Sequence, residues 1–517
     1  MEPSDVLPGH RDGVPGGGGH TSGGASGRAD RLRARARRWP WPPLAVAAVF
    51  TLVQLVLSVP GVGLGWDETV YVSQVSTEAP AAFFSAPRAR GITYLVAPFT
   101  AVTPSVAALR VCLAVLSGCA LFVALRAWRG LLPTVVAATG GALFAGLWVT
   151  VFYGPQVMPN LWVAFGALAA VGCFLRAARD SRNGGALTGL GAAVAFTALM
   201  RPADAVWLVL PLAAAALVLR VRHRIPLIAA PAAGAALGWA GWIAEAYLRY
   251  GGLGARLRRA SEIQGHLGLH FAVDDHVRAL GGRTLCRPCD VAWQHPAASL
   301  WFLALPVIVA AGVLAARRTA YRTEIAVATA AGVSMAVPYL FTVDYAAPRF
   351  LLPAYALLAL PAAVALVAAC RARPRGRAVF VCVLAAAVAG HLWIQYRLLD
   401  GVTNRVRSDT VAFGRVAAEL RAQGVWPPCV VAGEEAVRVA FRTGCASRQP
   451  SGHDESITPA ALARAAMERP VVVLVSGGKP PPAFARGWRE HRLPDLRSRA
   501  GHRAYLSPAA DPGRPSR

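Results

Sequence analysis

Two adjacent carboxylates, Asp67 and Glu68 in Gly65-Trp66-Asp67-Glu68-Thr69, stand directly after the first long apolar stretch of this chain. The run continues Val70-Tyr71-Val72-Ser73-Gln74, so the pair opens a short helix-like segment lying against a membrane and not a solvated acidic tract. A carboxylate placed there can take the proton of an acceptor hydroxyl, while a second beside it can orient the first or hold a divalent cation. A phosphate-linked leaving group needs cations opposite. Arg90 follows the acidic segment, Arg201 sits between two apolar segments, and Arg349 precedes another. Each guanidinium can grip phosphate oxygens bidentately and stays charged at any relevant pH. The competing reading is that each arginine merely snorkels to lipid headgroups.

A second group of ligating residues lies farther on. His266 and His270 are spaced i to i+4, which on a helix puts both rings on one face, and Asp274, Asp275 and His276 follow. That spacing suits metal ligation or substrate contact; the alternative is a solvated interfacial helix. Cys286 and Cys289 form C-R-P-C in the same segment, with Asp290 and His295 close behind. They read as a disulfide, half of a zinc site, or a redox dithiol. Cys429 and Cys445 form a second even-numbered pair in the tail, which fits disulfides in an oxidising compartment. The other five of the nine cysteines fall in or at the ends of apolar stretches, where cysteine serves as a small apolar residue. Ser476-Gly477-Gly478-Lys479 lacks the second glycine and the Ser/Thr of a phosphate loop, and reads as a turn.

The elements that must position these groups are set by composition. With 55% hydrophobic and 15% charged residues in 517, the chain is a polytopic α-helical membrane protein. Apolar stretches long enough to cross a hydrocarbon core predict about eleven transmembrane helices. They cover 43–64, 104–125, 131–152, 159–176, 186–200, 203–219, 225–244, 297–316, 323–342, 350–370 and 378–396. The net charge of +26 does not mark a nucleic-acid binder, because its arginines cluster between alternate spans. Arg31 to Arg38, Arg126 with Arg129, Arg176 to Arg182, Arg220 to Arg224, Arg317 to Arg322 and Arg371 to Arg377 make those loops, and the N-terminus, cytoplasmic. Asp67, Arg201, the 245–296 loop, Asp344 and the tail then face outward. Residues 1–39 read as a disordered basic segment, 40–396 as the membrane domain, and 397–517 as a small extracytoplasmic α/β domain. Within that tail, helices are expected over 411–422 and 459–467, and buried strands over 429–431 and 471–475.

In this setting the chain resembles the GT-C membrane glycosyltransferases, in particular the branch of protein O-mannosyltransferases, aminoarabinose transferases and their bacterial relatives. The resemblance rests on Gly65-Trp66-Asp67-Glu68 after the first helix, Arg201-Pro202-Ala203-Asp204, and Pro348-Arg349-Phe350-Leu351-Leu352-Pro353-Ala354-Tyr355, and it covers about residues 40–396. It implies an inverting hexosyl- or pentosyltransferase of the cell membrane. Such an enzyme takes a polyprenyl-phosphate sugar as donor and a glycan, lipid or protein as acceptor, on the outer face. Asp67 corresponds to the family's catalytic base, and Glu68 to a supporting or metal-binding acid. Arg90, Arg201, Arg349, Tyr71, His266 and His270 are the expected substrate contacts. A divalent cation, Mg or Mn, is a further expectation, weakened because the second outer loop, Gly154-Pro155-Gln156-Val157-Met158-Pro159-Asn160, offers only amides where relatives often carry an acid. The competing class is a transporter or flippase for a lipid-linked sugar, which calls for ionisable residues at the membrane midplane and broken helices.

Overall fold

The computed structural model describes residues 41–180, 182–219, 221, 224–293, 295–371, 377–497 and 500–511. The segment expected over 1–39 with its cluster Arg31 to Arg38, and Arg220, Arg222, Arg373 and Arg375, lie outside the described residues.

Among the described residues, eight helices are long and apolar enough to cross a membrane: Trp41–Ser58, Val106–Arg126, Pro159–Arg179, Arg224–Tyr250, Pro296–Ala316, Arg322–Phe341, Pro348–Arg371 and Ala378–Ala422. The protein is a multi-pass membrane protein. The other three expected spans coincide with apolar helices too short to meet that criterion: Thr134–Ala145, Gly184–Met200 and Pro202–Val218. The first of these breaks at Gly146 and resumes as Trp148–Tyr153, and the other two are cut at Arg201 by Pro202. Gly91–Val102 is a short apolar helix with no counterpart among the expected spans.

Small residues let these helices approach closely. A Cβ on Gly312 would stand 1.9 Å from the Pro361 carbonyl oxygen, and one on Gly234 would stand 2.2 Å from the Gly191 oxygen. Helix starts are written locally: the Ser105 side chain caps the Ala108 amide, the Asn183 side chain caps that of Ala186, and Pro159 opens its helix with the fixed φ that suits a first turn.

The last helix, Arg377–Ala422, runs 46 residues without a break, so the boundary expected at 396/397 falls inside it. No proline interrupts Leu392 to Ala422, and the helix stops only at Gly424, which has φ 83°. Its second half covers a five-stranded sheet. The strands are β1 (Val430–Gly433), β2 (Ala446–Ser447), β3 (Val471–Val475), β4 (Arg489–Arg492) and β5 (Arg503–Leu506), in the order β2-β1-β3-β5-β4. β1 is parallel to β2 and to β3, whereas β5 is antiparallel to β3 and β4.

The all-apolar run of β3 reflects burial on both faces. Val472 and Leu474 pack with Phe413, Val416 and Leu420 of the long helix, while Val471, Val473 and Val475 pack with Leu462 and Ala466 of the helix Pro459–Glu468. Cys286 is joined to Cys289, and Cys429, just before β1, is joined to Cys445, just before β2.

Candidate functional site

Asp67 sits in the first turn of the short helix Trp66–Ser73. That helix is pinned by its other acid. The Glu68 carboxylate accepts bonds from Arg110 Nη1 (2.5 Å) and Nη2 (2.7 Å), from the Gly65 amide (2.8 Å) and from the Val157 amide (2.6 Å). Arg110 is wholly buried in the helix Val106–Arg126, and it also donates to the carbonyls of Gly63 and Pro155 at 2.7 Å. One buried ion pair thus ties both loops and a membrane helix together, and it leaves Asp67 to point elsewhere.

Asp67 Oδ1 accepts from Arg88 Nη2 at 2.6 Å and Oδ2 from Arg349 Nη2 at 3.0 Å. Arg349 is held in turn by the Thr284 carbonyl (2.8 Å), and Arg88 by the Ser85 hydroxyl (3.1 Å). Aromatic faces support the cations. Arg88 lies 5.0 Å from the Tyr71 ring centroid, and Phe350 lies between Arg201 (5.4 Å) and Arg349 (5.3 Å). Arg201 pairs with buried Asp204 at 3.1 Å. Burial pushes the Asp67 carboxyl up, but Arg88 and Arg349, with Arg201 behind them, outweigh it and hold Asp67 below the usual carboxylate range.

Two cavities meet at Asp67. The larger, about 530 Å³, is lined by Tyr71, Arg88, Asn160, Arg201, Tyr345 and Arg349 among others, and reaches His453 and Asp454 beyond β2. The smaller, about 290 Å³, shares Trp66, Asp67 and Arg349, and adds Gln156, Thr284, Asp409, Arg438 and Arg442. Arg438 and Arg442 belong to the helix Ala436–Thr443, which packs on the Asp67 helix, so the sheet region supplies part of the wall. Arg438 is paired with Glu435 (2.7 Å), whereas the Arg442 guanidinium has no hydrogen-bond or ion-pair partner among the described residues. Burial, and then the charge of Arg438, push Arg442 down from its ordinary value. In the larger cavity Asn160 is 1% exposed, yet neither its amide nitrogen nor its amide oxygen has a partner among the described residues.

Of the expected site residues, Asp67, Tyr71, Arg201 and Arg349 come together. Glu68 lines the smaller cavity, but its carboxylate oxygens are taken up by Arg110 and two backbone amides. Arg90 turns away, bonding Glu245 at 2.7 Å and lying 4.4 Å from the Phe84 ring, and Arg88 occupies the place expected for it. His266 and His270 share no helix face. The helix Leu253–Ile263 ends in Gly265 and His266 with φ 88° and 62°, and the chain then runs extended, His270 N donating to the Phe341 carbonyl at 3.0 Å. Neither histidine lines the cavities at Asp67. His276 is buried, bonded to the Tyr339 carbonyl, and pushed by burial down to about 4. Ser476 and Lys479 both bond Glu434, which makes their segment a tied turn.

A divalent cation does not fit this donor set. Both Asp67 oxygens face guanidiniums, Glu68 is saturated, and among the described residues no group of three or more His, Cys, Asp or Glu converges as metal ligands do. Arg88 and Asn160 were the residues that sequence reasoning missed. The only signal for Arg88 was its place two residues before Arg90; that for Asn160 was the amide-only second loop.

No protein-family model and no curated protein matches the sequence. Solved structures do match its fold. ArnT from Cupriavidus metallidurans bound to undecaprenyl phosphate superposes with a TM-score of 0.59 at 13% identity, over 91% of this chain and 99% of that one. The apo form of the same protein gives 0.59 at 14% identity, over 93% and 100%. The oligosaccharyltransferase of Archaeoglobus fulgidus, in complex with zinc and sulfate, gives 0.53 at 13% identity over 83% of this chain and 67% of that one. The chain therefore has the GT-C fold, and the resemblance carried by Gly65 to Glu68 and Pro348 to Tyr355 extends to the architecture of nearly the whole molecule.

Proposed function

We propose that this protein is an inverting glycosyltransferase that moves a sugar from a polyprenyl-phosphate donor to an acceptor hydroxyl on the face of the membrane away from the cytoplasm. The observation that carries this reading is the position of Asp67, at the junction of two cavities and between two guanidiniums of the larger one. A base for glycosyl transfer has to touch the acceptor while facing the sugar carbon, and only such a junction allows both. Arg88, Arg201 and Arg349 stand against the carboxylates of Asp67 and Asp204, which leaves positive charge in surplus for a phosphate. The Asn160 amide is free to bond a sugar hydroxyl or a phosphate oxygen. The acceptor enters from the smaller cavity, past Arg442. The likeness in fold to a protein that binds undecaprenyl phosphate supports the choice of donor.

The Asp67 carboxylate takes the proton of the acceptor hydroxyl, whose oxygen bonds to the sugar carbon as the bond from that carbon to the phosphate oxygen breaks. The electron pair leaves with the phosphate, and the guanidiniums stabilise the added negative charge. Phosphate binding draws Arg88 and Arg349 away from Asp67, and this raises the basicity of a carboxylate that they otherwise suppress. Arg126 with Arg129, and Arg176 with Arg179, lie at the ends of two helices whose other ends carry Arg110 and Asn160 beside the Asp67 site. This favours an outward-facing site.

The test is a transfer assay with the full chain in proteoliposomes and a panel of polyprenyl-phosphate hexoses and pentoses, following release of polyprenyl phosphate with acceptor extracts present. Release from at least one donor, lost in Asp67→Asn, is the expected result. No release from any donor by well-folded wild type would overturn the reading, and translocation of a lipid-linked sugar would take its place.

A further inference from the structure

At the end of the helix bundle opposite Asp67 lies a cavity of about 790 Å³ between the helices Val106–Arg126, Pro159–Arg179 and Gly184–Met200. The chain directions fix its place. Arg110, Asn160 and Met200 each stand at the Asp67 end of their helix, so Arg126, Arg179 and Gly184 mark the other surface, about 25–30 Å away at 1.5 Å per residue. Gly166, Ala169, Gly189 and Ala193 form an apolar floor without bulk. From Asn183 at the mouth to Phe196 at the inner end the groove runs thirteen residues, about 20 Å, somewhat more than half of a hydrocarbon core of about 30 Å. That depth suits an acyl chain of one leaflet.

The mouth is cationic in a specific way. Four arginines gather here, and two are consumed in holding the turn at 126–130. Arg176 donates to the carbonyls of Ala127 (2.6 Å), Arg129 (2.5 Å) and Arg126 (3.1 Å), and Arg179 to that of Gly130 (3.0 Å) while also pairing with Glu324 (2.6 Å). The clamped turn presents Arg126 and Arg129, which line the cavity and are exposed, and whose guanidiniums have no ion-pair or hydrogen-bond partner among the described residues. We propose that this groove is a binding site for one anionic glycerophospholipid, its acyl chain along Ala169 and Ala193 and its headgroup phosphate between Arg126 and Arg129. The apolar floor takes the chain, the unpaired guanidiniums take the charge, and a zwitterionic headgroup, whose own cation faces the same arginines, fits less well.

The test is native mass spectrometry of the full chain in detergent, titrated with phosphatidylglycerol or phosphatidylcholine of matched acyl chains. One tightly held phosphatidylglycerol, preferred over phosphatidylcholine by about tenfold or more, is expected. Arg126→Gln with Arg129→Gln should remove the preference, and Ala169→Phe, which fills the floor, should remove the bound lipid. Both arginines are exposed, so the double variant keeps the fold, and a matching thermal melt verifies this. Arg318→Gln, at the same end but outside the groove, should change nothing. The proposal fails if phosphatidylglycerol is not preferred, if the double variant keeps the preference, if Arg318→Gln lowers it equally, or if polyprenyl phosphate displaces phosphatidylglycerol at equal concentration.

Discussion

Two neighbouring carboxylates have been given separate tasks by their partners. Glu68, with its side chain 4% exposed, faces Arg110 at 0% and holds the loop; Asp67, at 32%, faces the cavities. Removing one member of a buried ion pair strands the other, at a cost of about 3–5 kcal/mol. Glu68→Gln should therefore lower the thermal midpoint markedly, whereas Asp67→Asn should leave it close to wild type; equal midpoints for the two variants would contradict the division of labour. Asp67 also carries a pH signature. Its carboxyl is depressed from 3.8 in the free enzyme, so the required ionised form persists as pH falls to 3.8, and the acid limb of kcat/KM should lie below that value. With phosphate bound, the guanidiniums are shared and the limb of kcat should move to higher pH. Profiles of both parameters check this, and coincident limbs would sink the idea that donor binding raises the basicity of Asp67. None of this partitioning could be read from the Asp67-Glu68 pair alone, because Arg110 lies 42 positions away in a helix that reads simply as apolar.

The membrane helices were legible because hydropathy and length are properties of the sequence itself; a helix was anticipated at each of the eight long positions. Their interruptions were not, since Pro202 and Gly146 act through geometry that mean hydropathy averages out. Arg88 and Arg90 differ only in how the segment after Ser85 turns, so composition could not choose between them. The histidine spacing failed for a local reason: Gly265 and His266 adopt left-handed backbone, which no helix continues through. At this scale close helix approach is testable. Gly312→Ala would set a methyl 1.9 Å from the Pro361 oxygen, in a pair of helices, Pro296–Ala316 and Leu352–Arg371, that carries Arg349 at its start. Overpacking of this kind costs about 1–3 kcal/mol. The variant should melt earlier and lose turnover with it, and an unchanged melt would show that these helices are not held by this contact.

Across the whole molecule, the C-terminal sheet is built into the membrane unit and not appended to it. The helix Arg377–Ala422 passes from apolar, outward-facing residues such as Val379 and Val383 to the core of the sheet. The helix Ala436–Thr443 then rests on the Asp67 helix, so the walls of the smaller cavity come from opposite parts of the chain. Arg442 reaches the smaller cavity only through this tertiary placement, which strand and helix patterns cannot convey. The central claim is that Asp67 and a donor phosphate compete for the same guanidiniums, with Asp67 as the base. The measurement that tests it most directly pairs polyprenyl-phosphate binding with single-turnover transfer in Asp67→Asn. The account predicts binding at least as tight as in wild type, because the competing carboxylate is gone, together with transfer slowed by about 100-fold or more. A folded Asp67→Asn protein that transfers sugar within a few-fold of wild type, or that no longer binds the lipid phosphate, would contradict it.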